Sequence, residues 1–296
     1  MASTTSGAGG AGAGTAADAP PHAAAVVGFV GVGTMSSAIV RGLCTAPADA
    51  PKSIVLSPRG KANATALASE FPSVCTIAES NQAVVDAADW VFLGVLPSMA
   101  EEVFAPLTFR EGQIIINLLA TSDNKHIAGL VAPATTIVRA VPLPPVALHA
   151  CATLMCPPHA GVEALFKQLG GAVAVESDSQ RELMQGVNCM MGPFYQFLVT
   201  ITEWLGERGV PLSASGPYVS QLMQAIGRDA VEAGPKGFQH LVDEQTPGGL
   251  NEGAIRQLGE AGVWPAYKSA LDTIYSRATG KDPAAAVVDK GASPDA

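Results

Sequence analysis

Val26-Val27-Gly28-Phe29-Val30-Gly31-Val32-Gly33-Thr34-Met35-Ser36 is the stretch on which the fold turns. Its first five residues form a short apolar run, and Met35, Ile39 and Leu43 follow four apart on one face of a helix. Strand, glycine turn and helix, in that order, give a G-x-G-x-x-small pattern the context of a dinucleotide-binding fingerprint. Gly31 makes the tight turn, Gly33 lets the backbone approach a pyrophosphate, and the small Ser36 takes the third glycine's place at the helix–strand contact. Thr34 and Met35 open the helix, whose N-terminus offers N–H groups and positive dipole to the anion. A glycine-rich turn without a ligand has the same local look. The place of this one, at the first strand of an alternating half, argues for the ligand.

Outward from that stretch the alternation continues. Strands are expected at Ile54-Val55-Leu56, Trp90 to Val95, Ile114 to Leu118, Thr136 to Ala140, Ala152 to Met155 and Ala172 to Val175. Helices are expected at Lys61 to Phe71 and Val162 to Leu169. Strands apolar on both faces indicate a parallel sheet, so residues 25–176 read as a Rossmann-type α/β domain. Beyond Ser177 the period becomes helical, with stretches at Arg181 to Trp204, Pro217 to Glu232 and Asn251 to Thr279. Residues 177–282 therefore read as an all-helical domain, with residues 1–24 and 283–296 as flexible Ala/Gly-rich tails. Three long helices cannot hide all their apolar surface on one another, so a partner subunit is expected to cover part of it, in a homodimer or an assembly of dimers.

Composition narrows the function classes. At 296 residues the chain suits about two domains of ~150 residues each. An apolar share of 48% excludes disorder as a description of the whole. Lys and Arg number 17 against 26 Asp and Glu, and no segment clusters the basic ones, which argues against nucleic acid and anionic membrane as partners. The longest apolar run, Ala23 to Met35, is shorter than the ~20 residues of a bilayer span. Residues 1–22 hold no Lys or Arg, unlike a secretion signal or a mitochondrial presequence, and a cytoplasmic location is the expectation. Five Cys without C-x-x-C read as small buried thiols, and scattered His residues give no metal-ligand spacing.

The choice of nicotinamide cofactor is read at the end of the second strand, where an Asp or Glu would take the ribose hydroxyls of NAD. Ser57-Pro58-Arg59 stands there instead. With no carboxylate to repel a 2'-phosphate, and with a hydroxyl, a guanidinium and Lys61 to hold one, NADPH is favoured and NADH is the other candidate.

Four blocks resemble the pyrroline-5-carboxylate reductase family, whose members reduce a cyclic imine to finish proline synthesis. Gly28-Phe29-Val30-Gly31-Val32-Gly33-Thr34-Met35 is close to G-F-I-G-x-G-N-M. Val91 to Pro97 resembles a strand ending in V-K-P, Val138-Arg139-Ala140-Val141-Pro142 resembles V-R-x-M-P, and Thr246-Pro247-Gly248-Gly249-Leu250-Asn251 resembles S-P-G-G-T-T. The departures fall near cofactor and substrate. Leu96 replaces the Lys of V-K-P, and Pro142-Leu143-Pro144-Pro145 replaces P-N-T-P. Asn117-Leu118-Leu119-Ala120 replaces a small-residue turn, Cys189 to Phe194 replaces a glycine-rich G-S-G-P-A, and Leu250-Asn251 replaces the Thr pair.

The resemblance implies an NADPH-dependent reductase of a cyclic imine carboxylate, with Val95 and Pro97 beside the nicotinamide ribose. It implies a substrate carboxylate held by the backbone N–H groups of Gly248, Gly249 and Leu250, with the Thr246 hydroxyl helping, and Asn251 where family members bond the ring nitrogen. A plain helix start capped by Asn251 would use the same residues without a ligand. A reductase of another cyclic imine, and a non-catalytic NADP-binding or sensing protein, stand as alternatives. The β-hydroxyacid dehydrogenases share the first-half plan but depend on a Lys that residues 181–205 lack.

Overall fold

The computed structural model describes residues 21–46, 50–119 and 124–285. Its strands are β1 (Val26–Val30), β2 (Ser53–Leu56), β3 (Cys75–Ile77), β4 (Trp90–Leu93), β5 (Ile114–Asn117), β6 (Thr136–Val141), β7 (Thr153–Cys156) and β8 (Ala172–Ala174). They form one sheet in the order β3-β2-β1-β4-β5-β6-β7-β8. Helices α1 (Thr34–Thr45), α2 (Lys61–Glu70), α3 (Asn81–Ala87), α4 (Ala100–Phe104), α5 (Asn124–Leu130) and α6 (Ala160–Lys167) fall between strands. The order reverses between β1 and β4, and such a switch point is where open α/β sheets bind ligands.

Neighbouring strands are parallel except β7, which runs antiparallel to β6 in register Arg139↔Cys156 and Val141↔Leu154. A parallel pair needs a crossover, usually a helix. The link here carries only the 3-10 turn Pro144–Leu148, so the chain folds straight back.

Each face of the sheet buries its own apolar cluster, one around Phe29, Phe92 and Phe166, the other around Val30, Val91, Leu93 and Phe104. Phe29 and Phe92 stack across β1 and β4 with centroids 4.5 Å apart, a pairing that adds about 0.5–1.5 kcal/mol to their burial. Gly31 and Gly94, at the ends of these two strands, thereby receive a fixed spacing.

Residues that follow α6 and β8 are helical: α7 (Asp178–Val187), α8 (Met191–Gly206), α9 (Leu212–Ala233), α10 (Gln239–Asp243), α11 (Leu250–Glu260) and α12 (Val263–Thr279). Two of the expected long helices are broken. Pro193 lacks the N–H that a continuous helix through Cys189 would need, so α8 starts afresh after the 3-10 turn Asn188–Met190 and places that proline in its first turn. Gly262, at φ +80°, separates α11 from α12. Pro217 lies inside α9.

The chain divides into two compact units, Met1–Arg181 and Glu182–Ala296. The expected tails fall mostly outside the described residues. Within them His22 is buried with its ring edge-on to Trp90, and Pro283–Ala285 forms a 3-10 turn. The expectation of buried thiols needs correcting at Cys189, which is exposed because α8 begins beside it with no buried residue. Cys44 and Cys75 touch, sulfur to sulfur at 3.7 Å, and their hydrogen bond pushes the Cys44 thiol up and holds Cys75 down. Among the described residues no helix is long and apolar enough to cross a membrane.

Candidate functional site

Three turns meet at the carboxyl ends of β2, β1 and β4. Gly31 has φ +95°, and a Cβ there would lie 2.7 Å from both the Gly94 carbonyl oxygen and Val95 Cγ1. No other residue type suits that backbone and that gap. Ser36 is buried, and its Oγ lies where a Cβ on Gly94 would be, so α1 packs directly on the end of β4. Gly33 is different in kind. It is exposed, it precedes α1 as an N-cap with no side chain to cap the helix, and the nearest atom to a Cβ there would be the Gly94 oxygen at 3.9 Å. Thr34 is exposed beside it, and Met35 is half-buried against the core. An open glycine at an uncapped helix N-terminus is a cradle that fits a pyrophosphate.

The β2 turn is clamped onto the same place. Asn63 Nδ2 donates to the Val32 carbonyl at 2.9 Å, and Gly60, at φ +84°, leaves room for that carbonyl where a Cβ would stand 2.8 Å from it. Ser57 is fully buried. Its Oγ donates to Asn81 Oδ1 at 2.6 Å and accepts the Arg59 N–H at 3.2 Å. The hydroxyl thus shapes the turn from inside, and the charge the turn presents outward is Arg59. That guanidinium pairs with Glu102 of α4 at 3.5 Å, with both side chains more than half exposed.

After β4, Val95 is half-buried against Gly31, Leu96 is 70% exposed, and exposed Pro97 opens a 3-10 turn. Asn117 ends β5 fully buried, donating to Asn124 Oδ1 at 3.1 Å and accepting the Leu119 N–H at 3.0 Å. Ala120, the last residue of the altered turn there, lies outside the described residues.

The second unit holds the other predicted group. Thr246 accepts the Gly249 N–H on its carbonyl at 2.8 Å, and a Cβ on Gly249 would stand 2.7 Å from that same oxygen. Gly248, at φ +70°, gives its N–H to Glu252 Oε2 at 2.6 Å. Two of the three N–H groups expected to hold a carboxylate are therefore engaged within the loop. The Leu250 side chain is 94% exposed at the first position of α11, and Asn251 Nδ2 donates to Gln245 Oε1 at 2.7 Å. Each unit gathers its own residues: cofactor candidates in the first, substrate candidates in the second.

A family model described as "NADP oxidoreductase coenzyme F420-dependent" matches residues 26–121, the span that carries all three turns. Pyrroline-5-carboxylate reductase 3 of Mus musculus is 27% identical over 268 residues, covering 85% of this chain and 94% of its own length. The similarity runs through both units, in one order. Over most of its length the chain is similar to pyrroline-5-carboxylate reductases. Solved pyrroline-5-carboxylate reductases share its fold: that of Coxiella burnetii has a TM-score of 0.73 at 24% identity, covering 86% of this chain and 97% of its own. That of Plasmodium falciparum, solved with NADP bound, has a TM-score of 0.69 at 18% identity over the same shares.

Sequence reasoning missed Asn63, Asn81, Glu102, Gln245 and Glu252. Asn81 could have been found as the polar residue opening a helix after Glu79-Ser80. Glu102 carries no local signal, since a lone Glu in a short helix reads as a solvated charge.

Proposed function

We propose that the chain reduces a cyclic imine carboxylate with NADPH, pyrroline-5-carboxylate to proline being the reaction that fits best. The observation that carries this is likeness to reductases of that name through both units, with the glycine cradle of the first unit intact. Gly31 and Gly33 would bring the α1 N-terminus against the pyrophosphate, Arg59 would take the 2'-phosphate, and Val95 and Pro97 would flank the nicotinamide ribose. NADPH, when bound, supplies the hydride, and an iminium carbon is electrophilic enough to accept it.

The chain's residues then have to place the ring and hold its charge. Asn251 has its amide N–H on Gln245, which leaves Oδ1 as an acceptor for the N–H of a protonated iminium. An amide does not donate a proton in catalysis, so the imine arrives already protonated. The Leu250 N–H and the Thr246 hydroxyl serve the substrate carboxylate.

Homodimerisation completes the reading. Helix α8, MGPFYQFLVTITEWLG, has no buried residue, and all but four of the large exposed apolar side chains among the described residues lie at or beyond Met184. Such a surface fits a subunit interface. Five Cys with no paired framework suit a reducing cytoplasm.

One observation favours a second reading, a reductase-derived protein that binds NADP without turnover: Gly248 and Gly249 already have partners for their N–H groups. The experiment is NADPH consumption with pyrroline-5-carboxylate, beside NADH and beside a six-membered cyclic imine carboxylate. Turnover of the five-membered ring with NADPH preferred is the expected result, with a lowered kcat in Asn251→Ala. NADPH binding without turnover of either imine would support the second reading.

A further inference from the structure

Arg59 and Glu102 come from opposite sides of the crevice. Arg59 sits in the turn after β2, Glu102 in α4 after the β4 turn, and β1 lies between those two strands. Strands are spaced ~4.8 Å apart, so the pair reaches from one neighbour of β1 to the other, across the carboxyl end of the strand that carries the glycine cradle. The backbone beneath Arg59 is tied down by Ser57, whose Oγ accepts the Arg59 N–H and donates to Asn81. A 2'-phosphate that engages Arg59 shares its guanidinium with the Glu102 carboxylate and lies near that negative charge.

We propose that Glu102 is a specificity-determining residue: its carboxylate competes with the cofactor's 2'-phosphate for Arg59 and so limits the preference for NADP over NAD. This rests on the NADP reading above. NAD, lacking the phosphate, has no need of Arg59 and is indifferent to the competition. Both side chains are more than half exposed, so the competition is modest and screened by salt.

Calorimetric titration of the full chain with NADP+, NAD+ and adenosine 2',5'-bisphosphate tests it at low ionic strength, with thermal unfolding of each variant as the check on folding. Glu102→Gln is expected to tighten NADP+ and the bisphosphate by about two- to fivefold and to leave NAD+ unchanged. In the Arg59→Ala background the same substitution should give no gain. Loss of NADP+ affinity in Arg59→Ala with no gain in Glu102→Gln overturns this proposal alone, as does a gain that persists without Arg59. Equal binding of NADP+ and NAD+ by wild type and by Arg59→Ala overturns the cofactor reading, and the proposal with it.

Discussion

The Glu252 carboxylate accepts the Gly248 N–H at 2.6 Å, so the chain's own acid sits on a donor where the resemblance places a substrate's acid. Gly249 is the N-cap that precedes α11, which makes Glu252 the third helical residue, the position from which a Glu reaches back over a helix start. The contact stabilises the turn and, on the proposed reading of this loop, competes with the substrate carboxylate. Glu252→Ala should lower the KM for pyrroline-5-carboxylate about two- to fivefold and lower stability by about 0.5–1 kcal/mol. Steady-state kinetics beside thermal unfolding separates the two effects. An unchanged KM would show that Gly248 does not hold the carboxylate.

Gly31 and Gly33 should respond differently to the same methyl group. Gly31→Ala meets φ +95° and two atoms at 2.7 Å, so it should cost about 1–3 kcal/mol of stability and remove NADP+ binding through the displaced turn. Gly33→Ala meets ordinary backbone, φ -84°, and no atom nearer than 3.9 Å. It should leave the unfolding temperature within a degree or two while weakening NADP+ at least tenfold by filling the cradle. Equal loss of stability in both variants would mean that Gly33 is structural.

These two glycines show why the first unit was readable. The constraint on each is local: a backbone angle for one, an open approach for the other, both announced by residue type. Strands β1, β4 and β5 were readable because they are buried on both faces and carry unbroken apolar runs. Strand β3 was not, since Thr76 and Ile77 are exposed on an edge strand and its pairing with β2 defines it more than its sequence does. The Arg59–Glu102 pair joins residues 43 apart, and only the strand order brings them together. In the second unit the breaks at Pro193 and Gly262 were visible as residues, but apolar spacing continued through them and masked the interruption.

The apolar face of α8 carries a prediction about assembly. Phe194, Tyr195 and Phe197 are each at least 44% exposed in the chain alone, and a partner subunit would bury them. Light scattering should find a dimer or a multiple of one, and Phe197→Asp should shift it toward monomer with loss of reductase activity while α/β-unit folding persists by circular dichroism. A fully active monomer in solution would overturn the assignment of this face to self-association.

His159 ties stability to pH through a helix cap. Its Nδ1 accepts the Val162 N–H at 3.2 Å at the start of α6, so that nitrogen carries no proton in the folded state. Its Nε2 is buried without a hydrogen-bond partner, and the ring stands edge-on to Trp90. Burial first of all, against smaller opposing contributions from its own backbone and Glu163, holds the imidazole below its usual value of 6.5. The unfolded chain therefore takes up this proton at a higher pH than the folded one. Stability from this group is complete above about pH 6.5 and falls as pH drops through 6.5 toward the folded-state value. His159→Asn keeps an acceptor for Val162 and does not titrate, so urea unfolding between pH 8 and pH 5 should show a shallower decline for the variant than for wild type. Parallel declines would mean that the ring is protonated in the folded protein and that α6 is capped another way.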